Sequence, residues 1–479
     1  MTPGRSLPRP PWGAVLAGLT GLVLVLGTLP LGDPDTLWHI LLGQRLAQTW
    51  DFVGPAPRPG LLSGDYVYTQ WLPELVAAAG YAVWGLPGVA VLAAFARLAF
   101  VAWLYRTARR EAGPLASLVV LVLTLGATLG ALSARPQLVG VLLLGVVATA
   151  WRATALDGRP RWWLVPVMWI WGASHGTWIV GVAVGALALA LLVLRTRTWT
   201  RGPAVVWLLG ALVPWCTPVP PAEVVHGFLA VRDISWFAEE WRPATWDSPQ
   251  LLPFLALVGW TGLGWAFARR QGGHRPTLVD VSFLGVAILL AAPAYRGIAL
   301  GAVVLAPVAA AAWGPATGVA RPERPDPPDR VERVALALPL AAAAVWTLLA
   351  APGMAASPAR VPSALSEPLR ALPAGTVVFD DVALGGWLLW DQPTLVPVLD
   401  TRLEAYGSAH LHAYVDALAA TPGWERTLAG WRVGAALLAV DAPLATALEQ
   451  AGWHESARAL GGRTTYVLLL PTRYAVPPS

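Results

Sequence analysis

The chain contains no lysine and no asparagine, so every one of its 33 basic side chains is an arginine and it carries no N-glycosylation acceptor. We read both absences as the codon bias of a GC-rich genome. A single cysteine, Cys216, excludes an internal disulfide framework and leaves the redox compartment undetermined. Charge is scarce as well: 13% of residues are charged, against roughly 25% in soluble domains. What fills the space is apolar. Hydrophobic residues make up 56% of the 479 positions and the mean hydropathy is +0.56. Tryptophan occurs 27 times, often at the ends of apolar runs, as in "RWWL" and "VWLL", where interfacial aromatic belts form. These features describe a multi-span membrane protein. No nucleic-acid partner is expected.

The first apolar run, Trp12 to Leu31, follows Arg5 and Arg9 and is about 20 residues long, enough to span. It lacks a small-residue cleavage site before Asp33, so a retained span is expected and not a signal peptide. Ten further apolar runs lie near 87–106, 114–132, 137–151, 162–174, 177–194, 203–216, 250–268, 278–292, 298–314 and 333–351. About eleven helices result, several of them short for a hydrocarbon core of ~30 Å. Arginines set the orientation. The groups Arg106, Arg109 and Arg110; Arg152, Arg159 and Arg161; Arg195, Arg197 and Arg201; and Arg269, Arg270 and Arg275 all fall on one side. With a cytoplasmic N-terminus that side is the cytoplasm, and an odd number of spans puts the C-terminus outside.

The same topology gathers the unusual polar groups on the outer face. The loop 33–86, "SARPQ" with Arg135, "WGASHGTW" with His175, the loop 217–249 and "APAYRG" with Arg296 all lie there. Ionisable groups at a membrane are costly and suggest a site, although Arg135 and Arg296 would equally suit snorkelling to lipid phosphates. In "LGDPDTLWHILLGQRL", apolar residues Leu37, Ile40, Leu41, Leu42 and Leu46 predict a short helix lying in the interface, with Asp35, or Asp33 before it, as N-cap. Capping explains one of the two acids and not both. After a Pro/Gly-rich turn, "YTQWLPELVAAAGYAVWG" reads as a second helix, with Glu74 in its first turn, where the helix dipole also favours an acid. In the loop 217–249, Glu239, Glu240, Trp241 and Arg242 set an aromatic among charges, as suits stacking on sugar rings; a Trp belt at the interface has the same residue types.

"GDPDTLWHILLGQRL", "YTQWLPELV", "ARPQL", "WIWGASHGTWIVG", "EEWRPATWDSP" and "APAYRGIAL" follow one another in an order that resembles the landmarks of the family C (GT-C) glycosyltransferases. This superfamily includes protein mannosyltransferases and lipid-modifying sugar transferases, and the likeness covers nearly the whole chain. It implies sugar transfer outside the membrane, from a polyprenyl-phosphate-linked donor to a glycan, lipid or protein acceptor. It also implies that an acid of the first outer loop acts as base or metal ligand, which falls here on Asp33 and Asp35. A hydroxyl attacking an anomeric carbon needs a base. The departing lipid phosphate needs its charge stabilised, for which the arginine fork is suited. Arg135 and Arg296 are the candidates, with His175 beside them, and His39, Trp38, Gln70, Glu74, Glu240 and Trp241 are the candidate substrate contacts. No H-x-x-H or paired acidic spacing demands a metal, so a divalent cation stays an open question. Relatives carry Glu-Trp-Leu where this chain has Gln70-Trp71-Leu72, and Gln70 cannot perform acid–base chemistry.

Three units are expected: a membrane domain over 1–352, a Pro-rich cytoplasmic linker at 320–333 within it, and a soluble outer α/β domain over 357–479. In the last, "GTVVFD", "TLVPVLD", "VGAALLAV" and "TTYVLLL" read as strands, and "GSAHLHAYVDALAA" and "DAPLATALEQAG" as helices. "DDVALGGW" places Asp380 and Asp381 before a Gly-Gly turn, and "LDTRLEAYG" places Asp400, Arg402 and Glu404 at another strand end. This domain is expected to bind acceptor or to act as a lid. Two other readings compete with a transferase. A scaffold that kept the fold and lost the chemistry is favoured by Gln70, and a lipid-linked substrate transporter is disfavoured because the polar groups cluster at one face.

Overall fold

Every apolar run foreseen in the sequence is helical in the computed structural model, which describes residues 12–58, 60–62, 65–271, 275–314, 330–356 and 361–472. The helices of the membrane part are α1 (Trp12–Gly27), α2 (Asp35–Thr49), α3 (Trp71–Arg109), α4 (Pro114–Thr128), α5 (Pro136–Asp157), α6 (Leu164–Gly172), α7 (Trp178–Thr196), α8 (Arg201–Leu212), α9 (Pro221–Ile234), α10 (Leu251–Arg270), α11 (Leu278–Ala291), α12 (Gly297–Ala311) and α13 (Arg330–Ala355), with the short antiparallel pair β1 (Val53–Gly54) and β2 (Tyr66–Val67) between α2 and α3. Among the described residues, six helices are long and apolar enough to cross a membrane, and the chain is a polytopic membrane protein. The nine residues of α6 rise only about 14 Å and cannot cross alone. The loop 217–249, expected without regular structure, contains α9. Of the linker foreseen at 320–333, residues 320–329 lie outside the described part.

Helix α12 is the axis of the bundle. From Gly297 to Ala310 it is buried around nearly its whole circumference, against α4, α5, α10 and α11, as expected of a helix that is apolar on all faces. Helix α3 bends sharply at Trp84 and Gly85, where Gly85 takes φ +61 and Pro87 follows. A Cβ on Gly88 would sit 2.1 Å from the Gly80 carbonyl, so the two halves pack back on each other only because both positions are glycine. The bend separates a span from the half-helix 71–83, which packs on α2.

At the end of the bundle where α3 meets α4, Arg152 of α5 bonds Asp280 of α11 at 2.6 Å and Glu111 at 2.8 Å. Glu111 directly follows the Arg106, Arg109 and Arg110 group, so these arginines mark the end opposite α2.

The C-terminal part is built from α14 (Ser366–Arg370), β3 (Val377–Asp380), α15 (Gly385–Asp391), β4 (Val396–Pro397), α16 (Ser408–Leu418), α17 (Trp424–Gly430), β5 (Val433–Ala439), α18 (Pro443–Gln450), β6 (Trp453–Gly461) and β7 (Thr464–Pro471). Its sheet runs β4-β3-β5-β7-β6, with β4, β3 and β5 parallel and β7 and β6 antiparallel. Phe379, Ala436, Leu438, Val467 and Leu469 face one layer, which includes Tyr414 of α16 and Leu444 of α18. Val378, Leu437 and Leu468 face the other, which includes Leu369 and Leu388 of α14 and α15. Cover on both faces explains why these strands read as continuous apolar runs. The Gly-Gly pair expected as a turn instead opens α15. A Cβ on Gly385 would meet the Leu399 carbonyl at 2.5 Å, and one on Gly386 the Pro34 carbonyl at 2.7 Å. These glycines let a helix end press against two backbones at once.

Candidate active site

The opening residues of α2 converge with the mouth of α5. Arg135 precedes a proline, which holds it extended at φ −124, ψ 161 and leaves its side chain at the head of the helix. Its Nε lies 3.0 Å from Asp33 Oδ2, and its Nη1 donates to Asp35 Oδ2 at 2.8 Å. The Thr36 hydroxyl donates to the Ala134 carbonyl at 3.0 Å and ties the two segments together. Asp33 Oδ1 accepts the Asp35 N–H at 3.1 Å, while the residue at the N-cap position, Pro34, makes no side-chain bond. Capping therefore belongs to Asp33. Asp35 stands in the first turn, with its carboxylate turned to Arg135 and to Thr401, whose hydroxyl donates to Oδ1. Burial first, and then the neighbouring Asp33, push the Asp35 carboxyl above the usual carboxylate range, against the pull of Arg135 and Thr401.

Helix α2 does not lie on the interface as its pattern suggested. Leu37, Trp38, His39, Ile40, Leu42, Gly43 and Leu46 are all buried, because α2 is held between α3 and the C-terminal part. His39 Nδ1 is 3.0 Å from Glu74 Oε1, and both side chains are buried. Burial, and behind it Arg135, His175 and Arg402, keeps His39 neutral, well below its ordinary value. The Trp38 ring lies against the His39 ring at 3.6 Å between centroids.

The loop carrying His175 rests on Gly140, one turn into α5, where a Cβ would meet His175 Cβ at 3.2 Å. The Thr177 N–H and hydroxyl both face His175 Nδ1, at 3.2 and 2.9 Å, which leaves the ring proton on Nε2. Burial, with Arg296 and Arg135 nearby, lowers His175 to about 3. At neutral pH it offers an N–H and no charge, which narrows its expected part in phosphate binding to hydrogen bonding.

Arg296 stands at the head of α12 and bonds Glu240 Oε1 at 2.8 Å, with its guanidinium 4.6 Å from the Trp241 ring centroid. Backbone bonds from Tyr295 to Arg242 and from Arg296 to Glu240 fasten the loop 239–242 there. Arg296, Glu240, Gln137, Gln250 and Tyr295 line a cavity of about 40 Å³, room for one or two waters. Gln70 sits half-buried at the head of α3, where its carbonyl accepts the Glu74 N–H at 3.4 Å. The nearby Leu72 N–H bonds the Ala173 carbonyl at 3.1 Å, next to the His175 loop.

Thus Asp33, Asp35 and Arg135 form one contact group. His39 with Glu74, His175, and Arg296 with Glu240 and Trp241 surround it within electrostatic reach. Sequence reasoning missed Thr401. Its one signal was the end of the "TLVPVLD" strand, since sites in α/β units collect at strand ends. The neighbouring Asp400 and Arg402 form a closed bidentate pair at 2.6 and 2.8 Å, joined by the Tyr406 hydroxyl, and serve to hold the loop. Among the described residues no three His, Cys, Asp or Glu side chains gather as metal ligands would.

No family model and no curated protein sequence matches the chain. Solved structures do. ArnT from Cupriavidus metallidurans in the apo state covers 95% of this chain and 97% of its own, at 16% identity and a TM-score of 0.51. The fold is GT-C. The same ArnT bound to undecaprenyl phosphate aligns at 17% identity over the same shares, with a TM-score of 0.49. The Archaeoglobus fulgidus oligosaccharyltransferase in the apo form aligns at 13% identity and 0.47, over 91% of this chain and 70% of its own. At these identities the GT-C likeness concerns the fold, and the chemistry has to be argued from the residues.

Proposed function

We propose that the protein is an integral membrane glycosyltransferase that moves a sugar from a polyprenyl-phosphate-linked donor to an extracytoplasmic acceptor. The N-terminus faces the cytoplasm and the α2 end faces outward. The observation that carries this reading is the meeting of Asp35 and Asp33 with Arg135 at one end of the bundle, with a second arginine, Arg296, close enough to be felt electrostatically. The motif resemblance and the GT-C fold support it.

In this reading an acceptor hydroxyl forms its bond to the anomeric carbon while the bond from that carbon to the phosphate oxygen breaks. The electron pair leaves with the lipid phosphate, and the hydroxyl proton passes to Asp35. A carboxylate with a raised pKa is a stronger base than an exposed one. Arg135 and Arg296 neutralise the phosphate as it departs, and the His175 Nε2–H supplies a neutral donor. Asp33 caps α2 and shares Arg135, which keeps the fork oriented. His39 and Glu74 brace the helix that carries the base, while Trp38, Gln70, Glu240 and Trp241 border the substrate space.

The test is turnover of radiolabelled polyprenyl-phosphate sugars by the protein in nanodiscs. Asp35→Asn should lower it by about 10²–10⁴, the worth of a general base, with the protein still folded and inserted. In the wild type the rate should rise with pH through the raised Asp35 pKa, because only the ionised form accepts a proton. Equal turnover in Asp35→Asn and wild type would remove Asp35 as the base. Donor binding without turnover in the wild type, over a broad acceptor panel, would favour the scaffold reading.

A further inference from the structure

Asp35 is the residue on which the proposed chemistry rests, yet one of the groups that hold it comes from the far end of the chain. Trp38 Nε1 donates to Thr401 Oγ1 at 3.0 Å. An indole N–H can only donate, so the Thr401 oxygen accepts there and its single proton is directed at Asp35 Oδ1. Oδ2 is taken by Arg135 from the head of α5. Each carboxylate oxygen keeps a lone pair for one further proton donor.

The position of Thr401 is itself fixed by close backbone contact. It follows β4 and Asp400, whose Cα would lie 2.6 Å from a Cβ on Gly385, while the next glycine presses on Pro34, one residue before Asp35. The head of α15 is therefore wedged between the segment carrying Thr401 and the start of α2. Arg402 adds a bond to the Arg58 carbonyl at 3.4 Å, and Arg58 returns bonds to the Leu389 and Trp390 carbonyls.

We propose that Thr401 is a positioning residue of the active site, through which the C-terminal part orients the base and completes the site. This rests on the reading of Asp35 as base. The charged groups facing Asp35 are Asp33 on its own loop, Arg135 at the head of α5 and Glu404 on the Thr401 loop. Thr401 is the neutral donor among them, so its removal takes away a bond that is stronger to the ionised form than to the neutral acid. The Asp35 pKa then rises further.

The protonation of Asp35 can be followed without turnover, as the carboxyl band in pH-difference infrared spectra that disappears in Asp35→Asn. Thr401→Val keeps the shape and loses the hydroxyl, and should move the titration midpoint up by about one pH unit. Thr401→Ser should restore the wild-type midpoint. Trp38→Phe frees the hydroxyl to rotate and should give a smaller shift in the same direction, which covers the case of a Val variant that does not fold. The acid limb of the rate profile should move with the midpoint. A midpoint in both Thr401→Val and Trp38→Phe equal to wild type overturns the proposal. A shifted midpoint with turnover indifferent to Asp35→Asn leaves the hold of Thr401 on Asp35 standing and overturns the assignment of the base.

Discussion

Gly43 shows how narrowly the site depends on backbone packing. It lies on the face of α2 turned to α3, where a Cβ would stand 2.0 Å from the Glu74 carbonyl oxygen, 2.5 Å from its carbon and 3.0 Å from Ala78 Cβ. Ordinary contact needs well over 3 Å, so Gly43→Ala forces the helices apart by about 1 Å or more. Two energies oppose each other. Alanine in a helix interior gains about 1 kcal/mol over glycine. Overpacking against a rigid partner costs about 1–3 kcal/mol, and more where the obstacle is backbone. The clash wins, because α2 has no room to retreat: its opposite side meets the head of α15. The displaced element carries Asp35 and His39 away from Arg135 and Glu74, and a misplacement of 1 Å can cost about 10² in rate. Gly21→Ala in α1 is the control, since nothing lies within 4 Å of its Cβ and it collects only the helical gain. Thermal unfolding in detergent should place Gly43→Ala below Gly21→Ala by about 2 kcal/mol or more, with a turnover loss confined to the first. Equal melting and equal turnover in the two variants would refute the close α2–α3 approach.

Two further outcomes separate stability from chemistry. Asp280→Asn weakens a buried ion pair with Arg152 at the arginine-rich end, while Glu111 stays to share the charge. It should cost about 3 kcal/mol in melting experiments and leave the pH profile of turnover unchanged, as the altered residue is remote from Asp35. Among the described residues the Gln70 side chain makes no hydrogen bond, so Gln70→Ala should leave melting within about 0.5 kcal/mol of wild type. As a border of the proposed substrate space it should raise the KM for donor or acceptor by about three- to tenfold, the worth of one hydrogen bond, and an unchanged KM would remove Gln70 from that space.

Legibility of this chain follows the range of the interactions involved. The apolar helices of the bundle could be read because each is an apolar run bounded by arginine, proline or glycine, which is local information; α9, inside the loop 217–249, has no such run and was missed. The grouping of Asp33, Asp35, Arg135, His175 and Arg296 could be argued from one further global rule, the sidedness of arginine, which sorts helix ends without knowing which helices touch. Beyond that, local patterns mislead. The apolar spacing of α2 looked like an interfacial helix because its second buried face is supplied by a part of the chain more than 300 residues away. "DDVALGGW" looked like a turn because glycine pairs usually make turns; here their missing Cβ atoms admit two backbones. Strand β6 went unseen because its exposed edge carries polar residues, His454, Glu455 and Arg458, and only pairing with β7 defines it. Thr401 combines these obstacles. Its bond to Asp35 spans 366 positions, and a threonine after a strand end has no distinctive chemistry until the tryptophan that orients its proton is known. The residues that sequence marks as chemical are those costly to bury near a membrane. The residues that aim them are cheap and common, and three-dimensional contact alone singles them out.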